Sequence, residues 1–263
     1  MILTDLQSTP IIAHRGASAA APENTLEAFH LAVERRCSAF ELDVRVTRDG
    51  VPVVLHDPTL DRTTDRRGRV SDMLLEEVRS ADAGARYEAQ DRSHPWAGRG
   101  VRIPTLLEVL RTFPTMPIMI EIKDPRAQDA VARLLIDEQA VERCVVASFR
   151  SGALRVFRGG PFLVGASRRD ILRLYGRTRL LLGPGRRNTI RCYAVPDYWK
   201  GAIEVPTAGF VLAARRLNIP VHVWTVDDPG RARSLRARGV SGIITNRPGL
   251  IREALQSTRA SGA

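Results

Sequence analysis

SAFELDVRVTRDGVPVVLHD, residues 38–57, decides how this chain is built. Glu41 and Asp43 stand two residues apart in an apolar run. Alternation along a strand sends both carboxylates to one face, and Leu42 and Val44 to the other. Arg48-Asp49-Gly50 marks a turn. Val51–Leu55 then reads as a second short strand, ending at His56-Asp57. A link this short holds no crossover helix, so the two strands run antiparallel. The hairpin therefore returns His56 toward the carboxylates. Phe40, Leu42, Val44, Val53, Val54 and Leu55 make both strands apolar, unlike a solvated surface hairpin.

Upstream, PIIAHRG (10–16) reads as a short buried strand with Ile12 and His14 on one face. Asn24 or Thr25 caps the helix LEAFHLAVERR, whose apolar face is Leu26, Phe29, Leu31 and Val33. Strand, helix, strand makes a βαβ unit with a parallel sheet. Downstream, residues 58–116 break the rhythm. They are polar and turn-rich, with a short helix in MLLEEVRSADAG and another in IPTLLEVLRTF capped by Thr105. Strands resume at PIMIEIK (117–123), where Glu121 and Lys123 share a face. They continue at VERCVVASF, PFLVGAS, TIRCYAV, VHVWTV and SGIIT, with helices between. Eight strands alternating with helices predict an α/β fold, a (β/α)8 TIM barrel forming a single domain over 1–263. A small insertion at about 58–116 lies between the strand 2 hairpin and strand 3. An open doubly wound sheet is the alternative, but no glycine-rich nucleotide loop is present. The polar residues gather at the C-terminal strand ends, where barrel enzymes hold their sites.

Composition sets outer bounds. The length is 263 residues and 44% are hydrophobic, enough for one large domain. MILTDLQSTP has no basic region followed by an apolar run, so no secretory signal is read. No apolar stretch approaches the ~20 residues that span a bilayer. Cys37, Cys144 and Cys192 are far apart and not in metal-like spacing, which fits free thiols and a cytoplasmic location. The net charge of +11 favours anionic partners, although a genome rich in arginine codons gives the same balance.

Glu41, Asp43 and Glu121 converge on one mouth, where three carboxylates repel unless protons or a cation intervene. Hard oxygen ligands suit one divalent ion, Mg2+ or Ca2+, with Mn2+ also compatible. Arg15 and Lys123 add fixed positive charge suited to a phosphate, Arg15 as a fork and Lys123 as a point charge. His14 and His56 each end a strand and suit a general acid and a general base. A phosphodiester needs such a pair, one group to activate the nucleophile and one to protonate the departing alkoxide. His30 and His94 read as solvated or structural. His222 shares a face with Trp224 and receives no catalytic role. Trp224 fits either the core or the cover over an apolar part of a substrate.

AHRGASAAAPENTLEAF, FELDVRVTRDGVPVVLHDPTLDRTT, IPTLLEVL, IMIEIK, VHVWTVDDP and GIITNRP stand in order from residue 13 to 248. In this the chain resembles the glycerophosphodiester phosphodiesterase family. The resemblance implies metal ligation by Glu41, Asp43 and Glu121, and His14 and His56 as the acid–base pair. It implies phosphate contacts by Arg15 and Lys123, and Trp224 near the alcohol. It also implies that residues 58–116 cap the site. The substrate would be a small-molecule glycerophosphodiester such as glycerophosphocholine or glycerophosphoethanolamine. The glycerol 2-hydroxyl would attack phosphorus, and water would open the cyclic phosphate to glycerol 3-phosphate. Many relatives carry aspartate where this chain has Asn246. The exchange is expected to leave the metal and proton-transfer groups untouched. Between Phe149 and Val221 the resemblance is weak.

Two rival readings remain. Arg168–Arg191 holds eight arginines and one acid, Asp170, with interleaved leucines. As a basic amphipathic helix it suits peripheral contact with an anionic membrane and a lysophospholipase D-like activity on lysophospholipids. As an ordinary outer barrel helix it suits neither. A catalytically inactive, anion-binding barrel is the other rival, but no nucleic-acid recognition motif supports a specific nucleic-acid partner.

Overall fold

The computed structural model of the chain describes residues 1–183, 185 and 189–260, the side chains of 258–260 excepted. β1 (Ile11–His14) leads through a loop to α1 (Leu26–Glu34) and β2 (Ala39–Val46). β3 (Pro52–Val54), α2 (Leu75–Arg79) and α3 (Leu106–Thr112) precede β4 (Ile118–Ile122). α4 (Gln128–Asp137), β5 (Cys144–Ala147), β6 (Leu163–Gly165), α5 (Arg168–Arg179) and β7 (Ile190–Pro196) follow. Next come β8 (Tyr198–Trp199), β9 (Ile203–Glu204), α6 (Ala208–Arg216) and β10 (Val221–Trp224). α7 (Pro229–Ala237), β11 (Gly242–Thr245) and α8 (Pro248–Ala260) complete the chain.

Eight strands pair in the order β1-β2-β4-β5-β6-β7-β10-β11, each parallel to its neighbours. β11 pairs with β1, Ile12 opposite Ile244, which closes the ring into a (β/α)8 barrel. β3 stays outside the ring, antiparallel to β2 with Val44 opposite Val54, as the turn at 48–50 predicts. The small antiparallel β8–β9 pair has no counterpart in the sequence reading.

Alternation along the strands builds two cores. Leu42 and Val44 of β2 and Ile118, Ile120 and Ile122 of β4 face outward and pack beneath the helices with Phe29 and Phe40. Inside the barrel, Leu3, Ile12, Met119, Val145, Cys192 and Ile244 form an apolar floor. His222 joins that floor, fully buried, and its Nε2–H donates to the Leu3 carbonyl oxygen at 2.9 Å. The carboxylates of Glu41, Asp43 and Glu121 stand on the same inner face as this floor, one layer higher. The side-chain period of two thus places apolar residues below and acids above on the same strands.

Several expectations shift in detail. Thr25 caps α1, its hydroxyl oxygen accepting from the Ala28 N–H at 3.2 Å. Asn24 is free for another task. The buried stripe of α1 is Ala28, Phe29 and Ala32, whereas Val33 is exposed, because the small alanines allow the helix to press closest to the sheet. Residues 58–116 are not uniform. Leu60, Val70, Val78, Val101 and Ile103 build a satellite core against Val53 and Leu55. Leu106, Val109 and Leu110 of α3 instead join the main core. α5 lies on the barrel exterior with Ile171 and Leu174 packed inward, and Arg186 and Arg187 of the basic stretch lie outside the described residues.

Candidate active site

The β1–α1 loop opens the site. Arg15 has φ 57 and donates its backbone N–H to the Glu41 carbonyl oxygen at 2.8 Å, docking the loop on β2. Gly16 follows with φ +84, and a Cβ there would lie 2.6 Å from Ala28. Only glycine fits so tight an approach to α1.

Glu41, Asp43 and Glu121 each offer an oxygen, all within 4.8 Å of one another. Glu41 and Asp43 are buried, and Glu41 Oε2 has no hydrogen-bond partner among the described residues. A buried carboxylate oxygen aimed at two other acids and left without a donor fits a bound cation. Burial, together with Asp43 and Glu121, drives the Glu41 carboxyl well above its ordinary range. Burial pushes Asp43 the same way, but Lys123 and Arg15 outweigh it and bring that carboxyl down to about 2. Burial and Asp43 raise Glu121 against the opposing pull of Lys123.

Two cations bracket the acids. Lys123 Nζ stands 2.9 Å from Glu121 Oε2 and 3.0 Å from Asp43 Oδ1. Arg15 Nε stands 3.0 Å from Asp43 Oδ2, and its Nη1 donates to Glu23 Oε1 at 2.9 Å. Asn24 Nδ2 donates to Asp43 Oδ2 at 3.0 Å. Glu23 also accepts from Arg62 at 2.7 Å and 2.9 Å, and Arg62 Nε donates to Asp57 Oδ2 at 2.5 Å.

The histidines come from different elements, His14 from the end of β1 and His56 from just beyond β3. Asp57 Oδ1 lies 2.6 Å from His56 Nδ1, so Nδ1 carries the hydrogen and Nε2 is left with its lone pair. His14 Nδ1 lies 2.7 Å from Asn246 Oδ1, and His14 Nε2 lies 3.8 Å from Glu41 Oε2. Burial and the adjacent Arg15 lower the pKa of His14 despite the Asn246 contact. Burial also lowers that of His56, against the pull of Asp43. Both imidazoles are thereby biased toward the neutral form at neutral pH.

His14, Arg15, Glu41, His56, Glu121, Lys123 and Trp224 all line one cavity of about 210 Å³ at the C-terminal mouth, above the Asp43 carboxylate. All eight residues expected from sequence therefore meet at one place. Trp224 is at the wall rather than in the core, with Phe149 edge-on at 5.7 Å between ring centroids. The expected cap is absent from the wall: no lining residue comes from 58–116. That segment meets the site's edge through Arg62 on Glu23 and through Tyr87 and Trp96, which donate to the Ala19 and Ala20 carbonyl oxygens of the β1–α1 loop, while its apolar residues build their own satellite core. The expectation that Asn246 leaves the proton-transfer groups untouched is also corrected, since its side chain holds His14 directly. Asn246 lies 232 residues from His14 in the chain, and only closure of the ring between β11 and β1 brings them together. Glu23, Asn24 and Arg62 were likewise missed as site residues; an acid and an amide beside a helix start read first as capping groups.

Fold and site together define a (β/α)8 barrel enzyme with its reactive groups at the C-terminal strand ends. The model of the Glycerophosphoryl diester phosphodiesterase family matches residues 14–158 and 179–250. A glycerophosphodiester phosphodiesterase of Caldanaerobacter subterraneus subsp. tengcongensis is 32% identical over 248 residues, 91% of this chain and 95% of that protein. The crystal structure of a glycerophosphodiester phosphodiesterase from Agrobacterium tumefaciens superposes with a TM-score of 0.72 at 29% identity, covering 92% of this chain and 98% of that one. An Oleispira antarctica phosphodiesterase shares the fold at a TM-score of 0.74 and 24% identity, over 94% and 97% of the two chains. The chain belongs to the glycerophosphoryl diester phosphodiesterase family, and it is a phosphoric diester hydrolase. The family match omits residues 159–178, which carry most of α5. Among the described residues no helix is long and apolar enough to cross a membrane.

Proposed function

We propose that this enzyme hydrolyses small glycerophosphodiesters, such as glycerophosphocholine or glycerophosphoethanolamine, to glycerol 3-phosphate and an alcohol, with one divalent ion. The observation that carries this reading is the cavity itself. Two imidazoles, each held through Nδ1, line it together with a buried carboxylate oxygen that has no donor among the described residues. Glu41, Asp43 and Glu121 would hold Mg2+, Ca2+ or Mn2+, which supplies Lewis-acid polarisation of the phosphoryl oxygens. Arg15 and Lys123 bind the remaining phosphoryl charge, which grows in the transition state. One histidine takes the proton of the glycerol 2-hydroxyl as its oxygen bonds to phosphorus. The other gives a proton to the alcohol oxygen as the P–O bond breaks. Water then opens the cyclic phosphate with the two roles exchanged. Trp224 and Phe149 form the apolar wall against which the alcohol rests.

The product found with the Oleispira antarctica phosphodiesterase is sn-glycerol-3-phosphate, in keeping with this substrate class. The lysophospholipid reading is not favoured, because the relatives are named for glycerophosphodiesters and α5 packs as an outer barrel helix. Turnover of glycerophosphocholine beside lysophosphatidylcholine tests the choice. Glycerol 3-phosphate and choline are expected from the first. Choline released faster from the lysolipid would reverse the assignment.

A further inference from the structure

Asp227 follows β10, Asn246 follows β11 and His14 ends β1, so three neighbouring strands deliver one chain of side chains. Asp227 Oδ1 accepts from the Thr245 hydroxyl and from the Asn246 backbone N–H, each at 2.8 Å. Asp227 Oδ2 lies 2.7 Å from the Asn246 side-chain nitrogen. A carboxylate only accepts hydrogen bonds, so the Asn246 NH2 must face Asp227. Its Oδ1 must then face the other way, where it lies 2.7 Å from His14 Nδ1 and 2.8 Å from the Ser18 hydroxyl. That oxygen has no hydrogen to give, so His14 Nδ1 must carry one.

We propose that Asn246 and Asp227 are positioning residues that lock His14 as its Nδ1–H tautomer, with the bare Nε2 turned toward Glu41. The chain is Asp227 to Asn246 to His14, and each link has only one chemically allowed sense. A second-layer partner of this kind fixes which imidazole nitrogen is free to move a proton. The consequence for turnover rests on the acid–base role of His14 given above. The tautomer itself rests on the hydrogen bonds alone.

The chemistry also dictates the test. In Asp227→Asn the Oδ1 position must remain an oxygen, because the Asn246 backbone N–H and Thr245 hydroxyl still donate to it. The new NH2 therefore falls opposite Asn246, whose side chain must turn over and present its own NH2 to His14. His14 then becomes the Nε2–H tautomer. Adding Asn246→Asp restores an acceptor against His14 while the new amide at 227 donates to it. Nitrogen-15 NMR of labelled protein with Mg2+ reads the tautomer, with the His14 signal identified by its loss in His14→Ala. The wild type is expected to show an unprotonated Nε2, D227N an unprotonated Nδ1, and the D227N/N246D exchange the wild-type pattern. With D227N, kcat is expected to fall by about 10²–10⁴, the usual contribution of acid–base catalysis, with KM little changed. The exchange variant is expected to recover most of it. An unprotonated Nδ1 in the wild type overturns the proposal whatever the variants' stability, as does an exchange variant no faster than D227N. An inverted tautomer with unchanged kcat would instead defeat the acid–base reading of His14.

Discussion

Lys123 Nζ lies 2.9 Å from Glu121 Oε2, and the same ammonium touches Asp43 Oδ1 at 3.0 Å. A fixed cation therefore already sits among the acids proposed to hold a divalent ion. Burial alone would lower the Lys123 pKa, yet Asp43 and Glu121 hold it above its ordinary value. Removing this charge should move two readouts in opposite directions. Lys123→Ala should bind Mg2+ or Mn2+ several-fold more tightly by calorimetry, because a competing positive charge is gone. It should also lose about ten- to hundredfold in kcat/KM, the worth of one charged hydrogen bond to the phosphoryl group. Weaker metal binding together with unchanged turnover would contradict both assignments.

His14→Ala and His56→Ala remove side chains that line the cavity. Each should lower kcat by about 10²–10⁴ while the circular dichroism and melting temperature stay close to those of the parent. Unchanged activity in either variant would defeat the acid–base pair.

Glu41 gives a pH dependence whose sign follows from its burial. Its carboxyl is raised in the folded chain, so the folded state keeps this proton longer than the unfolded one. The stability it contributes is complete below the ordinary carboxylate range and is lost as pH rises through the raised pKa. Protein treated with EDTA should therefore melt at lower temperature as pH climbs above that range. Glu41→Gln, which stays neutral, should flatten the trend. Added divalent ion should reverse it in the parent, and Glu41→Ala should bind that ion more weakly. A melting temperature of the EDTA-treated parent that rises steadily with pH would count against this arrangement.

The opposite sign holds at the barrel floor. Burial brings the His222 pKa down from 6.5 to about 4, and among the described residues only its Nε2 has a partner. An unfolded chain takes up this proton first, so stability falls as pH drops from 6.5 toward 4 and is level above that window. The full gap corresponds to about 3 kcal/mol. Urea denaturation at steps across that window should show the loss, and His222→Gln should remove much of it. Equal slopes in parent and variant would show that the acid sensitivity lies elsewhere.

How much of this was legible in the chain depends on sequence distance. Glu41 with Asp43, and Glu121 with Lys123, are pairs at two-residue spacing, and the strand period alone aligns them. His14 and His56 each close a strand, so their place at the mouth follows from the element boundaries. Asn246 could not be read in the same way. Its hydrogen bond to His14 crosses the seam between the first and last strands, and no local pattern shows which side chains meet there. Asn24 and Glu23 were hidden differently: their types also suit a helix cap, and only the Thr25 hydroxyl on Ala28 shows that the cap was already filled. The capping role of residues 58–116 came from the family resemblance alone, and no local pattern showed that their apolar residues bury one another in a satellite core.

Release of glycerol 3-phosphate from glycerophosphocholine, with EDTA and then with Mg2+, Ca2+ or Mn2+ restored, tests the central claim most directly. Release that EDTA abolishes and at least one of these ions restores is the predicted result. Release undiminished by EDTA, or none with any ion, would contradict a metal-dependent glycerophosphodiesterase site built on Glu41, Asp43 and Glu121.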